Sequence, residues 1–162
     1  MLVRRDDGHE LDSDQGRLDV ERIHSWLSTD AYWALGRPLE TVRRAIEGSL
    51  SFGVYAAPID GGAGDSDGRG TLVGFARVVT DLATFAWLCD VYIAPESRGK
   101  GLGTWLVGII RDRLQATGVY RILLATSTAH GVYEKVGFTP LAKPETWMEL
   151  DSRRESPHTQ GA

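Results

Sequence analysis

The pattern of apolar and polar positions along the chain predicts alternating helices and strands. The clearest signal is a run with apolar residues at steps of three and four, which is typical of a helix with one buried face. That face consists of Leu102, Trp105, Leu106, Ile109, Ile110 and Leu114. Gly118 is placed to end this helix. Two earlier helices are predicted, one capped by Asp19 and one with Pro38 in its first turn.

Runs of β-branched and aromatic residues predict strands between and after these helices. The strands are expected near His9–Leu11 and at Ser51–Ala56, Thr71–Thr80, Thr84–Ile93, Tyr120–Thr126 and Thr146–Leu150. The run that starts at Tyr120 is continuously apolar, which predicts a fully buried strand. Residues 1–18 otherwise read as charged and irregular. The order of elements predicts an α/β fold, a mixed sheet with helices packed on it, in a single domain over residues 1–150.

Two segments predict no regular structure. Residues 59–70 are rich in glycine and aspartate, which favours a mobile loop that could fold over a binding site. Residues 151–162 are polar and predict a disordered tail.

Composition narrows the classes of function. The chain has 162 residues and a formal net charge of −4, which argues against nucleic-acid binding and slightly favours a cationic substrate. No apolar run is long enough to span a membrane and no leader is visible, so we expect a cytoplasmic protein. Cys89 is the single cysteine, and no histidine–cysteine cluster has metal-ligand spacing, so we expect no metal. The edge of the last predicted strand would allow a homodimer.

A glycine-rich turn leads into the long helix and predicts an anion site. Gly99, Gly101 and Gly103 stand where the helix begins, and helix starts carry unpaired N–H groups and a partial positive charge. Arg98 and Lys100 add full positive charge, so a phosphate or pyrophosphate is the expected ligand. An ordinary glycine loop before a helix is the alternative. A Walker loop is excluded because Gly101, not serine or threonine, follows the lysine.

Two motifs resemble the GNAT superfamily of N-acetyltransferases. Arg98, Gly101 and Gly103 match the family's acyl-coenzyme A loop, which is arginine or glutamine, two residues, glycine, one residue, then glycine or alanine. Residues 129–138 are similar to the family's short helix that carries a tyrosine and ends in Gly-Phe. The resemblance covers about residues 50–150. It implies a GNAT-like fold: a mostly antiparallel sheet with flanking helices, in which the strand ending at Ile93 and the strand from Tyr120 splay apart beside the coenzyme.

The resemblance also implies which residues bind acetyl-coenzyme A as acyl donor. The splayed strand would pair its backbone with the pantetheine arm, and the glycine loop would hold the pyrophosphate. The residues concerned are Val91, Tyr92 and Ile93 on the strand and Arg98, Gly99, Lys100, Gly101, Leu102, Gly103 and Thr104 on the loop and helix. Thr126 stands where many relatives have a coenzyme-binding asparagine, and Ser127 or Thr128 is the alternative residue to share that contact.

For the chemistry, the resemblance implies transfer of an acetyl group to a primary amine by direct attack in a ternary complex. Tyr133, at the family's tyrosine position, is expected to protonate the leaving thiolate; the alternative is a surface aromatic on a helix. Asp90 resembles an acidic residue that contacts the amine in polyamine acetyltransferases, and is expected to be base or substrate ligand; the alternative is a hydrogen-bonded strand aspartate. Trp87 and Cys89 occupy places where family bases often lie. A covalent role for Cys89 is the less favoured interpretation.

The acceptor site is expected in the first half of the chain. Trp26, Tyr32 and Trp33 form an aromatic group that would cradle a small-molecule amine, unless these rings are core residues. Two other functions stay open: a module that binds acyl-coenzyme A without turnover, and an acetyltransferase for protein N-termini or lysines.

Overall fold

The computed structural model describes residues 1–57 and 70–151, which form a six-stranded sheet with helices on both faces. The helices are α1 (Val20–Thr29), α2 (Leu39–Glu47), α3 (Leu102–Ala116) and α4 (His130–Glu134). The strands are β1 (Leu2–Arg4), β2 (Glu10–Asp12), β3 (Leu50–Ala56), β4 (Thr71–Thr80), β5 (Phe85–Ile93) and β6 (Arg121–Leu123). Single 3-10 turns occur at Gln15–Arg17, Pro95–Ser97 and Pro144–Thr146.

The strands lie side by side in chain order, from β1 to β6. Each neighbouring pair from β1 to β5 is antiparallel. β5 and β6 are parallel and pair over Phe85–Trp87 and Arg121–Leu123 only. α3 makes the crossover between them, as parallel neighbours require. The predicted fold class, a mostly antiparallel sheet with one parallel pair and flanking helices, is confirmed.

The sheet splits beyond the short parallel pairing. β5 continues to Ile93, whereas β6 ends at Leu123. The pairing register of β4 and β5 shifts between Phe75 and Arg77. An extra residue on one strand is a β-bulge, which bends that strand and increases its twist. Asp90 lies at this bulge with a left-handed φ of 51°. After Trp87, β5 still pairs with β4 on one side, but on its other side its backbone faces a gap instead of a neighbouring strand.

Two apolar clusters hold the helices to the sheet. On one face, α3 buries Leu106 and Ile110 against Phe52 of β3 and Leu88 of β5. On the other face, α1 and α2 pack against side chains that point the opposite way from the same strands, including Phe75. Asp19 caps α1 as predicted, since its side chain accepts a hydrogen bond from the Arg22 N–H. The 3.6-residue period of each helix thus decides which face it buries.

Three predicted details of the strands are wrong. β1 forms within the segment expected to be irregular, where it pairs with β2. The strand expected at Tyr120–Thr126 is limited to Arg121–Leu123 and is not fully buried, because β6 has a neighbour on one side only; Tyr120 is 80% exposed. No strand forms at Thr146–Leu150, where Met148 and Leu150 are exposed. Three residues of β6 offer too short an edge to order a further strand.

The remaining expectations concern the loop at 59–70, the tail at 151–162, a membrane span and a metal site. The predicted loop at 59–70 and tail at 151–162 fall almost entirely on residues 58–69 and 152–162, which are not described. Within residues 1–57 and 70–151, none of the helices combines the length and the apolar character needed to cross a membrane. The same residues contain no cluster of three or more histidine, cysteine or acidic side chains suited to a metal ion.

Candidate active site

Two clefts meet where β5 and β6 separate. The first, here called the glycine-loop cleft, has a volume of about 650 Å³ and lies between the end of β5, the start of α3 and α4. The second, called the Asp90 cleft, has a volume of about 370 Å³ and lies between β4, β5 and the segment after α1. Their shared wall is formed by Tyr32, Trp33, Val91, Thr128, Ala129 and Tyr133. Two molecules bound in these clefts would touch at this junction.

The glycine turn presents the start of α3 to the first cleft. Gly99 and Gly101 have left-handed φ angles of 78° and 72°, which glycine adopts at little cost. α3 begins at Leu102 without a side-chain cap, so its first N–H groups remain available to a ligand. Gly103 and Thr104 line the cleft beside them. The turn therefore has the geometry of an anion site at a helix start.

The two basic residues of the turn are placed differently from each other. Arg98 borders the cleft, but its guanidinium donates to the Ile93 carbonyl at 2.9 Å and to the Asp30 carboxylate at 3.0 Å. It thereby ties the turn to the end of α1. The side chain of Lys100 lines neither cleft, and its carbonyl accepts a hydrogen bond from Arg5 at 3.0 Å. The expected contact between Lys100 and a phosphate is therefore not supported by this arrangement.

Tyr92 and Trp26 belong to the packing around α1. The Tyr92 hydroxyl donates to Asp30 at 2.6 Å, and its ring stacks on Trp26 with centroids 5.1 Å apart. Burial and this hydrogen bond raise the pKa of Tyr92 to about 12. Trp26 packs against the core cluster and lines neither cleft, which argues against its predicted contact with the acceptor. The alternative of a core ring describes it better.

Tyr133 on α4 lies at the junction of the clefts. Burial raises the pKa of its phenol, so the hydroxyl stays protonated at neutral pH. Its ring meets Phe138 edge-on with centroids 6.0 Å apart, which fixes its orientation. No described residue forms a hydrogen bond with its hydroxyl. A protonated phenol that faces a cleft and is free to donate fits the predicted acid.

Thr126 lies in the turn before α4 and borders one of the two clefts. Its hydroxyl accepts a hydrogen bond from the Ala129 N–H at 3.1 Å and so shapes the turn before α4. It borders the Asp90 cleft and not the glycine-loop cleft, which argues against the expected coenzyme contact. Thr128, named as an alternative, lies at the junction of both clefts.

Asp90 is held on both of its oxygens. Oδ1 accepts from the Trp33 indole at 3.0 Å, and Oδ2 accepts from Arg37 at 2.8 Å and from Arg77. The side chain is only 3% exposed. Burial opposes its ionisation, but the two guanidinium groups outweigh it and lower its pKa. A carboxylate with a lowered pKa that already accepts three hydrogen bonds is a poor base. The geometry therefore favours a structural, hydrogen-bonded role for Asp90 over the role of base.

Sequence reasoning missed two residues of the candidate site, Arg37 and Arg77. Both line the Asp90 cleft. One signal was available: Arg77 interrupts the apolar run of β4, and a charged residue inside a buried strand needs a partner. Nothing local pointed to Arg37, which follows a glycine in the segment after α1.

The remaining predicted residues lie in the Asp90 cleft. Tyr32 and Trp33 line it and meet edge-on with ring centroids 5.0 Å apart. The Tyr32 hydroxyl accepts a hydrogen bond from the Ser127 N–H at 3.1 Å. Cys89 also lines this cleft, but burial raises the pKa of its thiol to about 11. A protonated thiol is a weak nucleophile, which argues against a covalent role.

Comparisons with known proteins agree with this geometry. Residues 20–138 match the family model described as the acetyltransferase (GNAT) family. A Gibberella zeae protein, FG08082, whose name assigns it only provisionally to the acetyltransferases, is 32% identical over 133 residues, covering 74% of this chain and 73% of its own. A GNAT-family protein from Xanthomonas campestris has a solved structure that is 40% identical, with a TM-score of 0.76, covering 88% of this chain and 92% of its own.

A more distant structure carries a ligand. Rv2747 from Mycobacterium tuberculosis, solved in complex with coenzyme A, has a TM-score of 0.59 at 19% identity, over 80% of this chain and 70% of its own. At that identity the likeness concerns the fold. The split sheet beside a glycine turn defines the class of fold. The match to the family model and the likeness to the Gibberella and Xanthomonas proteins identify the family. The chain belongs to the GNAT acetyltransferase family.

Proposed function

We propose that this protein transfers an acetyl group from acetyl-coenzyme A to a primary amine, by direct attack within a ternary complex. The observation that carries the proposal is the junction of the two clefts at Val91 and Tyr133. A donor in one cleft and an acceptor in the other would bring their reacting atoms together there. Such positioning supplies much of the rate enhancement in a reaction between two bound molecules.

The glycine-loop cleft is the proposed donor site. The pyrophosphate would accept hydrogen bonds from the first N–H groups of α3, where the helix dipole also favours negative charge. The amides of the pantetheine arm would pair with the backbone of Val91–Ile93, which faces the gap left by the split sheet. The coenzyme complex of Rv2747 supports a donor of this type. Thr128 takes the side-chain contact first assigned to Thr126.

The Asp90 cleft is the proposed acceptor site, and the chemistry follows from the junction. The neutral amine attacks the thioester carbonyl, so a C–N bond forms and the C–S bond breaks. Tyr133 gives its proton to the departing thiolate, the attacking amine loses a proton to water, and the Tyr133 phenolate then regains a proton from water. Among the described residues that line the two clefts, no histidine is present and both aspartates are engaged by arginines. Asp90 therefore acts as a positioning residue for Arg37 and Arg77.

Release of free thiol from acetyl-coenzyme A in the presence of single amines tests the proposal. Tyr133→Phe is expected to lower kcat by about 100-fold or more, with little change in the KM for acetyl-coenzyme A, because only the proton is removed. Tyr120→Phe is the matched control, since Tyr120 is 80% exposed and lies outside both clefts. Full turnover by Tyr133→Phe would remove the tyrosine from the mechanism. If the protein binds acetyl-coenzyme A but releases no thiol from it with any amine or peptide, the non-catalytic binding module would be the better description.

A further inference from the structure

The Asp90 cleft carries a surplus of positive charge. Among the described residues that line it, Arg37 and Arg77 are the cations and Asp90 is the single carboxylate. The lining thus has a formal charge of +1, opposite in sign to the net charge of −4 of the whole chain. Asp90 is nearly fully buried and already accepts three hydrogen bonds, two of them from guanidinium groups, so it is poorly placed to bind an ammonium group as well. A polycation would therefore find no carboxylate here that the arginines have not already engaged.

The two arginines keep donors that Asp90 does not use. Arg37 gives Asp90 a bond from one terminal nitrogen, and Arg77 gives it a bond from Nε. The two terminal nitrogens of Arg77 have no hydrogen-bond partner among the described residues, and neither do Nε and Nη2 of Arg37. The side chain of Arg37 is 20% exposed and that of Arg77 is 17% exposed, and both border the cleft. Asp90 therefore holds two guanidinium groups at the cleft, each with donors left for a ligand.

Guanidinium edges held in this way match the planar oxygens of a carboxylate. The rest of the lining is largely aromatic, with Tyr32, Trp33 and Trp87. Resting on the proposed function, we infer that the acceptor is an amine that also carries a carboxylate and has an apolar body. Arg37 and Arg77 bind the carboxylate, the rings hold the body, and the amine reaches the junction at Tyr133. This replaces the cationic acceptor that net charge alone favoured.

The test compares each acid with its own primary amide as acceptor. Three pairs place the carboxylate at different distances from the amine: phenylalanine and phenylalaninamide, β-alanine and β-alaninamide, and 4-(aminomethyl)benzoate and 4-(aminomethyl)benzamide. The measurement is kcat/KM by thiol release, expressed per concentration of neutral amine. We expect at least one acid to exceed its amide by about 10- to 100-fold, as the loss of a charge-assisted hydrogen bond implies.

Arg77→Met then assigns the preference to the arginine. The acid-to-amide ratio is expected to fall towards one in this variant, and because the ratio is taken within one protein, a partial loss of folded enzyme cancels. Arg43→Met is the matched control, an arginine on α2 that lines neither cleft and should leave the ratio unchanged. A thermal shift with acetyl-coenzyme A verifies that both variants fold and bind the donor.

The outcomes separate the inference from the proposed function. Amides accepted as well as acids, polyamines accepted in preference to both, or an acid preference unchanged in Arg77→Met would overturn the inference and leave the acetyltransferase in place. Absence of thiol release with every amine would overturn the proposed function and the inference with it. An acid preference that disappears in Arg77→Met supports both.

Discussion

Replacing Asp90 by asparagine removes one buried negative charge and little else. Asparagine has nearly the same shape, adopts the left-handed backbone at the bulge as readily as aspartate, and keeps an oxygen for the Trp33 indole. What it loses is the ionic bond to Arg37 and Arg77. The variant therefore isolates the electrostatic contribution of the carboxylate to the stability of the fold.

The expected loss follows from burial. Removing one partner of a buried ion pair costs about 3–5 kcal/mol when the remaining charge stays dry. Here the two arginines are 20% and 17% exposed, so water recovers part of that cost and we expect about 2–3 kcal/mol. For a domain of this size that corresponds to a fall in Tm of about 5–10 °C. Asp90→Ala should cost about 2 kcal/mol more, because it also loses the Trp33 bond and strains the backbone.

Urea unfolding of the wild type, Asp90→Asn and the control Asp112→Asn measures this difference. Asp112 is 60% exposed, so its replacement should change stability by no more than about 0.5 kcal/mol. The folded state lowers the pKa of Asp90 below its ordinary value of 3.8. Its stabilisation is therefore complete above that value and is lost as the pH falls through the lowered pKa. A difference at pH 7 below about 0.5 kcal/mol, or one that grows on acidification, would refute the reasoning.

Four further substitutions test separate parts of the molecule. Leu106→Ala, at a fully buried position of α3, should lower the free energy of unfolding by about 3 kcal/mol in urea titrations. Gly101→Ala should weaken acetyl-coenzyme A binding measured by calorimetry, because alanine is strained at the φ of 72° that shapes the turn. An unchanged affinity would mean that the donor binds elsewhere. Cys89→Ala should keep full turnover, and its inactivity would revive the covalent route. Asp30→Asn should raise the KM for acetyl-coenzyme A several-fold with kcat retained, because it loosens Arg98.

Local signals were sufficient for most of the architecture. The period of apolar residues predicted α3 and its buried face, the position of Asp19 predicted the start of α1, and the glycines predicted an open helix start. These features depend on residues a few positions apart, so they can be recognised in the chain itself. The strand expected at Thr146–Leu150 failed because a strand also needs an edge to pair with, and that edge belongs to a distant segment.

The candidate site divides in the same way. The sequence by itself was enough to predict that the glycine turn and Tyr133 lie at the site, because each belongs to a motif that is contiguous in the chain. Only the tertiary structure decided what Asp90 does, since its partners Trp33, Arg37 and Arg77 come from other elements and meet it across the bulge. Hydrogen bonds between residues far apart in the chain leave no periodic pattern in the sequence, so the charge of the Asp90 cleft could be recognised only in the folded structure.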